Sequence, residues 1–374
     1  MKSEVVVVGG GVVGAAATYQ LARLGANVTL VDAENEGHAT AAGAGIISPG
    51  SSYRPPAPYY PLSYKSASYY PTLLGQLSED GANECGYEVV GGLYVATTEE
   101  EASRLALIER LLQDRESAGV PNIGTISLID REEAKQLFPA IGNIQAAIHI
   151  SDSARLNGRL LRDSLKKAAR TRGADIVTGT AKLVCESGYV KGVEVAGSVI
   201  AADVVVVAGG AWSNGFKEAT GIEVPVKPQK GQILHLELTE NTSKWPIILG
   251  FHSHYMLTFP DHRIVVGATR EDDSGYDTRV TAAGIQELVG EALRVAPGLA
   301  DASIVEVRVG LRPDTPDHLP ILGPVPGIHG LYLATGHGAN GLTAGAYSGI
   351  AVADQVLGKP TEVDLKPFSV TRFF

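Results

Sequence analysis

Val5 to Val8 is an unbroken run of β-branched residues, the pattern of a strand covered on both faces inside a parallel sheet. Small and apolar residues from about Ala15 to Leu24 then predict a helix, and Gly25 ends it. Residues 27–31 predict a second strand running into Asp32. Residues 204–207 repeat the buried valine run and end in Ala208 and Gly209, and residues 331–335 give one more such strand before a last helix reaching about Leu357. Residues 233–238, 254–259, 263–267 and 304–309 read as strands of another kind. The second and third of these form an antiparallel pair across the turn Pro260-Asp261-His262. Residues 87–96 predict a hairpin or two short strands. Amphipathic spacing predicts helices over 99–117, capped by Thr98, and over 131–137, 157–172 and 281–295.

A chain that leaves a sheet and returns to it builds discontinuous domains. The expected fold class is therefore α/β: a Rossmann-type domain from 1–82, 151–222 and 311–374, plus an α+β domain with a largely antiparallel sheet from 83–150 and 223–310. Prolines and tyrosines crowd residues 48–71, among them Tyr53, Pro55, Tyr59, Tyr70 and Pro71. Proline limits regular helix in the first half of that stretch. It reads equally well as a lid over a pocket or as a packed segment.

The first strand–turn–helix unit carries chemistry. Gly9, Gly11 and Gly14 stand in the G-x-G-x-x-G spacing, which permits a tight turn, approach of backbone to a pyrophosphate and close helix–strand packing. The helix N-terminus offers free N–H groups and positive dipole character to a diphosphate. Asp32 falls about 20 residues on, where a ribose hydroxyl needs an acceptor. Strand, glycines, helix, second strand and acid in that order make a dinucleotide site the expectation.

At 374 residues the chain exceeds one ordinary core. With 44% hydrophobic and 19% charged residues it is globular, and a net charge of −10 argues against a nucleic-acid partner. Its two cysteines, Cys85 and Cys185, have no metal or redox spacing, which fits a reducing cytoplasm. No signal peptide is legible and no apolar run has the length of a membrane span. No His, Cys, Asp and Glu spacing points to a metal.

Five places together resemble the D-amino-acid oxidase (DAO) family of FAD-dependent amine oxidoreductases, nearest in pattern to its glycine-oxidase and D-amino-acid-dehydrogenase members. They are Gly9–Gly14 with Asp32, the small-residue run 40–45, residues 204–212, Gly310-Leu311-Arg312-Pro313, and residues 336–343. The resemblance covers nearly the whole chain and implies a bound FAD. It places Gly9, Gly11, Val12, Val13 and Gly14 at the pyrophosphate, and Asp32 with Ala33 at the adenosine ribose. Thr40, Ala41, Gly43, Ala44, Gly45 and Ile46 would run beside the ribityl chain and ring, and Lys182 would meet adenine through its backbone. It adds Ala208, Gly209, Trp212 and Arg312, then Gly338, Asn340, Gly341, Leu342 and Thr343, where N–H groups would face the flavin N1–C2=O edge. The family's covalent-flavin members carry a cysteine near this last motif, and this chain has none there, so the FAD is expected to be non-covalent. The sarcosine-oxidase-like lysine two residues before the strand glycine is here Val265.

On the substrate side, Arg312 matches the family arginine that grips a carboxylate through two parallel N–H donors, and Tyr255 matches a tyrosine donating to the same group. Arg270 could hold a second acidic group, but is expected to face outward or be ion-paired. His252, His254 and His337 are expected to be satisfied core or rim residues. The implied reaction is oxidative deamination of glycine or a D-amino acid to a 2-oxo acid and ammonia, with no side-chain acid or base required. An N-alkyl glycine or D-proline-like secondary amine, and a non-catalytic FAD-binding subunit, are the alternatives. Oxygen or a quinone or other electron carrier would take the electrons, and a homo-oligomer is compatible with all of this.

Overall fold

The computed structural model describes residues 4–52 and 56–374, so Tyr53 and Pro55 lie outside the described residues. Strand β1 (Glu4–Val8) pairs in parallel with β2 (Asn27–Asp32) on one side and with Val204–Val207 on the other, Val5 opposite Val28 and Val204. Leu331–Thr335 and Asp175–Thr178 extend the sheet in parallel, and Ile321–Pro324 adds an antiparallel edge, giving six strands from widely separated segments. The double-sided burial read from the valine run is literal. Val5 and Val7 enter one core with helix α1 (Val12–Arg23) and the last helix, Gly341–Val356, while Val6 and Val8 enter another beneath a three-stranded sheet of residues 181–201.

The turn after β1 is as tight as its glycines require. Gly9 has φ +103°, and a Cβ there would lie 2.4 Å from the Ala208 carbonyl oxygen. A Cβ on Gly14 would lie 1.9 Å from the Gly9 oxygen, so its bareness lets α1 sit against the turn.

The second sheet has eight strands, antiparallel at every pairing except Ile247–Phe251 with Gly92–Ala96. Leu234, Leu236, Met256 and Val266 face a core under helix Ala282–Val295, and Ile233, Leu257 and Val265 face the opposite one. The helices begin where polar caps allow: Thr98 accepts from Glu101 N–H, Thr281 from Gly284 N–H, and Asp130 and Glu133 form a reciprocal capping box.

Strand Ser303–Asp314 is longer than the 304–309 read for it, because its pairing continues, Arg312 opposite Gln229 and Asp314 opposite Lys227. Of the two readings of residues 87–96, the structure has the two short strands, Glu88–Val89 and Gly92–Ala96, in different sheets. The described residues of the first half of the proline–tyrosine stretch hold no regular helix, as its prolines lead one to expect, and helix Tyr59–Glu79 begins only at its midpoint: Pro61 falls in the first turn, where a missing N–H costs nothing, and Pro71 lies inside it. Tyr59 and Tyr70 are buried and donate to the carbonyl oxygens of Asn340 and Leu342, so this part is a packed buttress behind the last helix.

Candidate active site

A cavity of about 800 Å³ opens where the carboxyl ends of the parallel strands meet the antiparallel sheet, the place such folds offer a ligand. The turn after β1 supplies Gly9, Gly11, Val12 and Val13 to its wall, and Asp32 and Ala33 follow from the end of β2. Thr40, Gly43, Ala44, Gly45 and Ile46 form another stretch, and Lys182 comes from the edge of the three-stranded sheet. Ala208, Gly209 and Trp212 follow the Val204–Val207 strand, and Gly338, Gly341, Leu342 and Thr343 lead into the last helix. Tyr255 and Arg312 come from the antiparallel sheet, and Arg270 from the segment that follows its strand Arg263–Gly267.

Three expected residues are not on that wall. Gly14 is turned to the Gly9 carbonyl by the helix packing described above. Ala41 turns its carbonyl to Arg159 (3.1 Å) and Arg308 (3.4 Å) in a separate, water-sized cavity. Asn340 has its carbonyl engaged by Tyr59 at 3.3 Å.

The site's charges are arranged by local contacts. Lys166 lies 2.7 Å from one Asp32 oxygen and Glu34 N–H lies 3.2 Å from the other. Burial pushes the Asp32 carboxyl up, but Lys166 and the backbone donors outweigh it and hold it ionised below the usual range. Gly10 lies beneath this carboxylate: a Cβ would come within 2.0 Å of Oδ2. Thr40 Oγ accepts the Val12 N–H at 3.0 Å and so caps α1 from across the wall. The last helix has no side-chain cap, and its first N–H groups have no intrahelical acceptor. A Cβ at Gly341 would meet nothing nearer than His337 Cβ at 3.8 Å.

His337 was expected to be satisfied and is not. It is buried on the cavity wall, and among the described residues neither ring nitrogen has a partner. Burial lowers its pKa to about 4, leaving a neutral imidazole. Its signal was its place inside the Gly336–Thr343 run. By contrast His252 and His254 pair with Glu291 and Glu287, both at 3.0 Å.

On the far wall, Arg312 donates through Nη1 to the backbone carbonyl oxygens of Thr269 (3.1 Å) and Lys230 (3.5 Å) and to the side-chain Oε1 of Gln229 (3.4 Å). Among the described residues no carboxylate pairs with it, and burial pulls its pKa down. The guanidinium lies over Gly231, where a Cβ would be 2.4 Å from Nη2. Tyr255 has its hydroxyl pKa raised by burial, against the opposing pull of Arg312 and Arg270. Arg270 is among the residues lining this wall, exposed and without an ion pair among the described residues. Tyr276, which the sequence did not single out, stacks on the cavity-lining Trp212 at 5.6 Å and donates to the Ala211 carbonyl.

The glycine turn, an uncapped helix start and an unpartnered imidazole suit a long, polar, phosphate-bearing cofactor, and the cationic end at Arg312 suits a small anion. Neither cysteine lines the cavity. Among the described residues no cluster fits a metal, and no helix is long and apolar enough to cross a membrane.

Known proteins agree with this geometry. YurR of Bacillus subtilis (strain 168), an uncharacterized oxidoreductase, is 46% identical over 371 residues, 98% of each chain. Glycine oxidase of Pseudomonas putida is 32% identical over 377 residues, 99% of this chain and 98% of that one. The crystal structure of iminodiacetate oxidase (IdaA) from Chelativorans sp. BNC1 superposes with a TM-score of 0.94 at 43% identity, covering 98% of both chains. The DAO family, FAD dependent oxidoreductase, matches residues 4–355. The chain belongs to the DAO family of FAD-dependent oxidoreductases.

Proposed function

We propose that this protein oxidises the C–N bond of a small α-amino acid whose carboxylate is held by Arg312 and Tyr255. The observation that carries the reading is the Arg312 guanidinium: it lines the cavity, Nη1 is tied back by two backbone carbonyl oxygens and the Gln229 side-chain oxygen, and no carboxylate of the described residues pairs with it. A planar cation with free donors is matched to a carboxylate, and the Tyr255 hydroxyl adds a donor from another strand of the same sheet, two strands lying between them.

FAD, when bound, supplies the two-electron acceptor for the hydrogen leaving Cα. Gly9, Gly11, Val12 and Val13 would hold its pyrophosphate, Asp32 the adenosine ribose, and the N–H groups of Gly341, Leu342 and Thr343 the edge of the ring where negative charge grows. Arg312 and Tyr255 fix the substrate's orientation, and holding donor and acceptor in contact accounts for much of the acceleration. The amine reacts neutral, and water hydrolyses the resulting imine to a 2-oxo acid and ammonia. No side-chain acid or base is assigned.

A secondary amine is a second reading, favoured by the 43% identity to an iminodiacetate oxidase over almost the full chain. It would release a primary amine in place of ammonia. The test is anaerobic mixing of FAD-loaded protein with glycine, D-amino acids and N-substituted glycines while the ~450 nm flavin band is followed. Bleaching by at least one of them is expected, and admitting oxygen then distinguishes an oxidase from an enzyme needing another acceptor. No bleaching by any of them would leave the FAD-binding subunit as the better description.

A further inference from the structure

We infer that His38 donates a hydrogen bond from Nδ1 to an oxygen of the adenosine diphosphate half of FAD, and that Arg162 is the positioning residue that leaves the proton on that nitrogen. The inference rests on the placement of the adenosine ribose at Asp32. His38 and Asp32 both line the cavity, and His38 is close enough for the Asp32 charge to act on it. Among the described residues His38 Nδ1 has no hydrogen-bond partner.

The place of the proton follows from the chemistry of Arg162. Its Nη1 lies 3.0 Å from His38 Nε2. A guanidinium has donors only, so Nε2 accepts. A neutral imidazole that accepts at one nitrogen carries its hydrogen on the other. Burial, and after it the positive charge of Arg162, lowers the His38 pKa to about 4, so the ring is neutral at neutral pH. Arg162 is itself held in place. Asp163 takes its Nε and Nη2, both at 2.8 Å, which leaves Nη1 for His38.

Helix Gly158–Thr171, which carries Arg162, serves Asp32 in the same way. Its Leu161, Leu165 and Ala168 are buried in the core shared with α1. Residues 162 and 166 lie one turn apart on one face, and Lys166 reaches Asp32 as Arg162 reaches His38. Arg159 donates to the Ala41 carbonyl from the turn before. Lys166 holds Asp32 ionised and therefore accepting only, and Arg162 holds His38 as a donor. This end of the cavity wall thus offers one acceptor and one donor. A ribose hydroxyl needs the acceptor for its proton, whereas the ribose ring oxygen and the phosphate oxygens accept only. A carboxylate by itself would meet the first need and repel the phosphates. FAD displaces water from this wall, and an Nδ1–H left without an acceptor there would weaken its binding.

Two readouts on the FAD-loaded protein test this. In isotope-labelled protein, long-range proton–nitrogen correlation of the histidine rings should show His38 neutral with its hydrogen on Nδ1; a hydrogen on Nε2 would overturn the inference. FAD affinity is read from free-flavin fluorescence as the loaded protein is diluted. His38→Phe should raise the dissociation constant about tenfold, the order of one hydrogen bond. Asn sets an amide N–H where the imidazole has Nδ1, and Gln sets it where Nε2 lies. His38→Asn should therefore recover part of the loss and His38→Gln none; equal recovery by both would contradict the assignment to Nδ1. Arg162→Met should also weaken FAD, and Arg162→Lys, again a donor only, should restore it. In a His38→Phe background Arg162→Met should add nothing, and an additive loss would remove Arg162 from the positioning role. A lower melting temperature in His38→Phe with an unchanged dissociation constant would overturn the inference and leave His38 to the fold. If Asp32→Ala loosens FAD and His38→Phe does not, the ribose placement stands and this inference alone falls; if neither does, both fall.

Discussion

The ring of Tyr255 lies across Gly267, its partner on the adjacent antiparallel strand: a Cβ at Gly267 would come within 2.3 Å of the Tyr255 hydroxyl oxygen. The phenol lies flat over the strand because this position is bare. Gly231 does the same for the Arg312 guanidinium. Two cross-strand glycines thus aim the two donors assigned to the substrate carboxylate.

Gly267→Ala should therefore behave as a mutation of Tyr255. The hydroxyl must move, and the apparent KM for the amino acid should rise about tenfold or more, the order of one charge-assisted hydrogen bond. Steady-state kinetics beside a thermal melt checks this; a large loss of melting temperature with unchanged KM would show that Gly267 serves only the fold.

Tyr255→Phe keeps the ring and removes the donor. Its expected effect lies in the same direction, between about tenfold and a hundredfold in kcat/KM, with the flavin content unchanged. A change below threefold would remove Tyr255 from the carboxylate site.

At the other end of the cavity, Asp32→Ala should loosen FAD, since it removes the acceptor assigned to the ribose and leaves Lys166 unpaired. After dialysis the ratio of flavin to protein absorbance should fall well below that of the native protein. Equal ratios would show that Asp32 serves only the Lys166 ion pair.

His235 offers a pH test of the folded state. It is 2% exposed, neither ring nitrogen has a partner among the described residues, and burial with nearby Arg308 and Arg263 lowers its pKa to about 3. The unfolded chain takes up this proton near pH 6.5, the folded chain only near pH 3. Stability is therefore lost as pH falls through that window, by roughly 3 kcal/mol at pH 4 from this residue. His235→Phe should shrink the drop in melting temperature between pH 6.5 and pH 4. An unchanged drop would assign it to the carboxylates alone.

Much of the cofactor end was legible because backbone does the work there. The valine run, the glycine spacing and the acid ending the second strand are local signals, and each lies on or against the cavity. Thr40 and Asn340 show the limit: both are near the site, but long-range bonds to Val12 and Tyr59 decide what their oxygens do. Asp32 was legible, but Lys166, 134 residues away, was not. Arg270 was the hardest to place. Whether it has an ion pair depends on which carboxylates of the 271–277 loop are already taken by Lys230, Gln229 and Arg279, and no spacing in the chain records that. His337 was discounted because a buried histidine is ordinarily paired, and its lack of partners is a property of the folded cavity.

The central claim is that Arg312 holds the substrate carboxylate against the cofactor, and Arg312→Ala tests it most directly. The native and variant proteins, equally loaded with FAD, are titrated anaerobically with whichever amino acid bleaches the native flavin. The account predicts that the variant needs at least a hundredfold more substrate for half-maximal bleaching while its flavin spectrum without substrate is unchanged. An unchanged half-maximal concentration would contradict it.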